Sequence, residues 1–117
     1  MTLERVSAIT VGVSDMRRSV RFYVALGFEI AYGGEDGDFT SLAIGDVRYN
    51  LAPRSGFSLT GNWGRTIFHV SDVDAFFQRA LDAGLAPETE PEDASWGERY
   101  FHILDPDGHE LSFAKPL

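Results

Sequence analysis

The chain has no cysteine among its 117 residues, which excludes disulfides, thiolate nucleophiles and thiolate metal sites together and suits a reducing compartment. Positive charge is scarce: 10 Lys and Arg stand against 18 Asp and Glu, a formal net charge of −8. That balance argues against a surface that tracks nucleic-acid phosphates or lies on anionic lipid, and a neutral or cationic ligand is the easier partner. No stretch approaches the ~20 apolar residues of a membrane-spanning helix. Met1-Thr2-Leu3-Glu4-Arg5 lacks the basic-then-apolar pattern of a secretory leader, so a cytoplasmic protein with no nucleic-acid or membrane partner is expected. Also missing are a Ser-His-Asp order, a phosphate-cradling glycine loop and a paired-carboxylate motif, so no particular reaction is indicated.

What is present is a core and a repeat. Hydrophobic residues make up 44% of the chain and aromatics 13%, enough to fill the interior of one domain. Val13-Ser14-Asp15 through Gly27 and Val70-Ser71-Asp72 through Gly84 repeat one pattern at a constant offset of 57 residues (13 to 70, 27 to 84). Each copy runs from an alternating apolar stretch into a helix start, a helical stripe and a glycine stop. Ser14 and Ser71 are expected as N-caps, with Asp15 and Asp72 placing negative charge at the positive end of each helix dipole. Apolar residues at Val73, Phe76, Phe77, Ala80 and Leu81 follow the i, i+3, i+4, i+7, i+8 spacing of a helix lying on a core. Met16, Ser19, Val20, Tyr23 and Val24 hold the equivalent slots, and Gly27 and Gly84 stand where a left-handed residue ends a helix. Two copies of one module are therefore expected.

In chain order, 6–13 alternates with Ile9, Val11 and Val13 toward a helix and Ala8, Thr10 and Gly12 on the other face. After the first helix, strands are predicted over 28–32, 39–44 and 47–52, separated by the polar turn 33–38 and the hairpin Gly45-Asp46. Residues 53–64 join the copies and carry Phe57 and Trp63, which are costly to leave in water. The second copy predicts a strand over 65–70 with Thr66, Phe68 and Val70 inward and Arg65, Ile67 and His69 on the opposite face. It continues with a helix to about Ala83 and a short strand starting at Ala86-Pro87. The acidic, proline-broken 88–93 reads as a solvated loop. A strand over 99–104, the tight turn Asp105-Pro106-Asp107-Gly108 and a strand over 109–114 close the pattern, with His109 a turn residue. The last hairpins match at an offset of 62, which sets Asn50 opposite Ser112.

Phe22-Tyr23-Val24-Ala25-Leu26-Gly27-Phe28-Glu29 and Asp105-Pro106-Asp107-Gly108-His109, set in two copies of β-α-β-β-β, resemble the vicinal oxygen chelate superfamily. That superfamily contains glyoxalase I, extradiol dioxygenases, and fosfomycin- and bleomycin-resistance proteins. The resemblance implies an α+β fold of two tandem β-α-β-β-β modules, about 5–53 and about 64–115, forming an open, cup-shaped mixed sheet with helices outside. Together they would make a single domain over 1–117. In the metal-dependent members, one ligand comes from the first and last strands of each module, which here gives Ala8, Asn50, Arg65 and Ser112. A methyl group, an amide, a cation and a hydroxyl are poor ligands for a divalent ion, so no metal and no other cofactor is expected.

Polar positions on the cup side then become candidate ligand contacts: Asn50, Arg65, His69, Glu110 and Ser112, with Arg48 of the same parity, and His102 if Phe101 and Ile103 face the helix. Trp63 and Trp96 precede the strands of a cup rim, and aromatic walls with a few polar groups are the usual make-up of a small-molecule pocket. The Trp96-Gly97 approach to Asp105-Pro106 is similar to bleomycin-resistance proteins, which are metal-free, dimeric and sequester a cationic antibiotic. Two function classes follow. One is a homodimeric binding protein for an organic, aromatic or cationic compound; the other is a lyase, isomerase or dioxygenase-like enzyme using His69, His102 or Glu110.

Overall fold

The computed structural model describes residues 1–117. They divide into two compact units, 1–58 and 59–117. The first unit contains β1 (Ala8–Val13), α1 (Met16–Ala25), β2 (Glu29–Tyr32), β3 (Thr40–Ile44) and β4 (Val47–Pro53). The second contains β5 (Arg65–His69), α2 (Val73–Asp82), β6 (Glu92–Asp93), β7 (Glu98–Leu104) and β8 (Glu110–Pro116). Each unit is thus β-α-β-β-β, and the fold is α+β.

Each unit builds one open four-stranded mixed sheet, ordered β1-β4-β3-β2 in the first and β5-β8-β7-β6 in the second. The first strand pairs in parallel with the last, and the remaining pairs are antiparallel. Thr10 lies opposite Asn50 and Ile67 opposite Ser112. Adding 57 to 10 and 62 to 50 gives 67 and 112, so the offsets read from the sequence hold in the register itself.

The helices begin one residue later than the sequence implied. Asp15 and Asp72, not Ser14 and Ser71, are the N-caps: each is extended, and each carboxylate accepts from the third helical amide, Arg18 N at 3.1 Å and Ala75 N at 3.0 Å. A carboxylate at the cap both satisfies an orphan amide and sits at the positive end of the dipole, so it combines the roles the sequence split between two residues. Both helices end in the same Schellman turn. Phe28 N donates to Tyr23 O and Gly27 N to Val24 O; Leu85 N donates to Ala80 O and Gly84 N to Leu81 O. Gly27 (φ 99°) and Gly84 (φ 79°) supply the left-handed residue this turn requires.

Each helix packs on one face of its own sheet. In the first unit Val20, Phe22, Tyr23 and Leu26 meet Val11, Val13, Leu42, Tyr49 and Leu51, all buried. In the second, Phe113 is the hub: its ring lies 4.6 Å from Phe76, 5.4 Å from Phe68 and 5.5 Å from Phe101. Val24 and Leu81, expected in the stripes, are exposed, and they are again 57 residues apart. The sheet therefore covers a narrower arc of each helix than the periodicity allowed.

Residues 86–87 form no strand. The edge strand is the two-residue β6, and the loop before it is tied to β7 by Glu88 N donating to His102 O at 2.8 Å and His102 N donating to Thr89 Oγ1 at 3.0 Å. Pro87 has no amide hydrogen to offer a ladder, which moves the pairing downstream. Phe57 lies over the sheet face of its own unit, where a Cβ on Gly12 would come within 2.8 Å of its ring. No helix is long and apolar enough to cross a membrane.

Candidate functional site

The outward face of the β5-β8-β7 sheet carries a cleft of about 330 Å³. Strand alternation decides its lining. On β7, Phe101 and Ile103 point into the core, which turns Glu98, Tyr100 and His102 to the other face. On β8, Leu111 and Phe113 are buried inward, leaving Ser112 and Ala114 to the cleft; on β5, Thr66 and Phe68 face inward and Arg65 and Ile67 outward. Trp96 closes one end from the turn before β7.

The rings form a row. Trp96 stacks on Tyr100 with centroids 5.7 Å apart and planes 27° apart, and Tyr100 lies 4.9 Å from His102. Beside them is a polar chain. His102 is opposite Ser112 across β7 and β8, with Nδ1 2.6 Å from Ser112 Oγ, and its Nε2 is 3.0 Å from Arg65 Nη1. The same Nη1 is 3.2 Å from Glu110 Oε1. Because a guanidinium only donates, His102 Nε2 must accept, which puts the imidazole proton on Nδ1 and makes that N–H the donor to Ser112 Oγ. Burial first, and the Arg65 charge second, hold the His102 pKa below its ordinary 6.5. A neutral His102 already donating to Ser112 cannot take the Ser112 proton, so this pair is a hydrogen-bond relay and not an activated nucleophile.

Of the residues singled out from sequence, Arg65, Trp96, His102 and Ser112 line the cleft. Glu110 is one bond away through Arg65, and His69 is one bond away through Glu98, whose Oε2 is 3.2 Å from His69 Nε2. Trp63 does not line this cleft: its indole N–H donates to Nδ1 of the buried His109 at 3.0 Å. His109 does follow the turn at Gly108 as expected, but as an interior acceptor. Asn50 belongs to the first unit, where its Nδ2 donates to Thr10 Oγ1 at 3.2 Å and its Oδ1 is buried without a partner. Arg48, on the same strand, donates to Gly45 O at 3.5 Å.

Glu98 and Tyr100 were missed, although their parity with His102 on one strand pointed to them. Glu98 is the cleft's acceptor, and it is engaged by Trp96 Nε1 at 2.9 Å as well as by His69. The positions the resemblance assigns to a metal, Ala8 and Asn50 in the first unit and Arg65 and Ser112 in the second, offer no imidazole or carboxylate, and no group of three or more His, Asp or Glu is arranged to hold an ion.

Comparison with known proteins places this architecture. Residues 5–113 match the Glyoxalase/Bleomycin resistance protein/Dioxygenase superfamily, and the chain belongs to that superfamily. It is 52% identical to an uncharacterized protein of Mycobacterium bovis over 90% of this chain and 79% of that one. It is 32% identical to the bleomycin resistance protein of Geobacillus stearothermophilus over 98% of both chains. Among solved structures, a bleomycin-binding protein complexed with bleomycin superposes with a TM-score of 0.76 over 98% of this chain and all of that one. At 22% identity that likeness is one of fold.

Proposed function

We propose that this chain binds, without a metal, an organic molecule bearing a planar aromatic part, and holds it in the cleft of the second unit without transforming it. The observation that carries this reading is the row of Trp96, Tyr100 and His102 rings flanked by the Arg65 and Ser112 donors. A flat surface beside a few convergent polar groups is how small-molecule sites combine affinity with orientation. The kinship with bleomycin resistance proteins supports a binding role, and an antibiotic is one compound of the required kind. The alternative, catalysis by His69, His102 or Glu110, has less support: His102 is neutral and committed at both nitrogens, His69 Nε2 is hydrogen-bonded to Glu98, and Glu110 is paired with Arg65.

The superfamily match across both units supports reading them as halves of one domain, and we read the protein as a cytoplasmic homodimer. The fully exposed edge strand β2, with Ile30 and Tyr32 in solvent, supports association. Light scattering then returns twice the 12.9 kDa chain mass, and a monomer at micromolar concentration removes the dimer. The binding reading is tested by tryptophan fluorescence with bleomycin and a set of planar aromatic compounds. Saturable quenching that survives chelator supports it, and loss of binding on chelation contradicts it.

A further inference from the structure

The donors in the cleft that have no protein partner restrict what can dock there. We propose that the ligand is an aromatic carboxylate whose carboxylate sits on the Nε and Nη2 edge of Arg65; this rests on the cleft being the binding site. Both protein partners of Arg65, Glu110 Oε1 and His102 Nε2, are met by Nη1. The side chain is 45% exposed and lines the cleft, and its Nε–H and Nη2–H pair has no protein acceptor. Those two N–H groups form the fork that matches the two oxygens of a planar carboxylate.

Ser112 adds a third donor. It is 3% exposed, its oxygen accepts from His102 Nδ1–H, and its hydroxyl hydrogen is left to point at a ligand. The acceptor in the cleft, Glu98, is occupied by Trp96 and His69. Both Glu98 oxygens already hold a donor, while the Arg65 fork and the Ser112 hydroxyl hydrogen hold no protein acceptor, so the open donors here favour an anion. A carboxylate would satisfy each remaining donor while its ring lay on Tyr100 and Trp96.

Three probes of one shape separate these possibilities: 2-naphthoate, 2-naphthamide and 2-naphthyltrimethylammonium, titrated at low salt while the Trp96 indole N–H is followed by NMR. The carboxylate is expected to bind at least about tenfold tighter than the amide, the scale of a hydrogen bond to a charged group. That preference should fall to about onefold in Arg65→Gln. Arg65→Lys preserves a charge opposite Glu110 and should recover only part of the preference, because an ammonium is not a fork. Equal binding of carboxylate and amide, tighter binding of the ammonium, or an unchanged preference in both variants overturns the carboxylate while leaving the cleft a binding site. Failure of all three probes to move the Trp96 signal overturns both.

Discussion

His102 and Ser112 face each other across β7 and β8 with 2.6 Å between Nδ1 and Oγ, and the ring's other nitrogen is held by Arg65. Protonating His102 would set a donor against the guanidinium and add a charge to a half-buried site.

The first prediction follows from the lowered pKa. As pH falls, the unfolded chain takes up this proton before the folded one does. The His102 contribution to stability is thus complete above pH ~6.5 and is lost as pH drops from there toward the lower folded value. Histidine NMR should place the His102 midpoint below 6.5. The fall in melting temperature between pH 7 and 5 should be shallower in His102→Asn, which can still accept from Arg65. A midpoint at or above 6.5 contradicts the proton placement.

The two tryptophans should separate binding from stability. Trp96 is 69% exposed, so Trp96→Ala should leave the melting temperature within a degree or so while weakening binding of a planar aromatic probe about tenfold. Trp63→Ala removes the donor to the buried His109 and should cost ~1 kcal/mol of stability with affinity kept. Reversed effects would move the site to Trp63.

Capping gives a paired test. Asp72→Ala should cost ~1 kcal/mol in chemical denaturation, and Ser71→Ala, whose side chain caps nothing, under ~0.5 kcal/mol. Equal losses would restore the serine as the cap.

Gly33 is the turn position with least freedom: at φ +82°, a Cβ would come within 2.1 Å of Phe39 O. Gly33→Ala should cost well over ~1 kcal/mol, and more than Gly45→Ala, which at φ +57° meets nothing within 4 Å. Similar costs at the two sites would mean the 33–38 turn yields easily.

The duplication was legible because one offset ran through caps, stripes and stops, and it persists in the Schellman bonds of Gly27 and Gly84. Strand parity was legible too, and it is what brought Arg65, His102 and Ser112 together. Cap position was not, since Ser and Asp are both good caps and only backbone geometry decides between neighbours. Trp63 was misdirected because sequence shows a costly aromatic but not its acceptor, the buried His109. Glu98 and Tyr100 shared the parity of His102, but a Glu next to an acidic loop reads as solvated until Trp96 and His69 are seen on its two oxygens.

The sharpest single test is a ¹H–¹⁵N spectrum of the indole N–H groups during titration with 2-naphthoate, because the chain has only two tryptophans. A metal-free aromatic cleft predicts that the Trp96 signal moves saturably, that Trp63 stays in place, and that the titration is the same with chelator or added zinc. A shift confined to Trp63, or one that requires the metal, would contradict it.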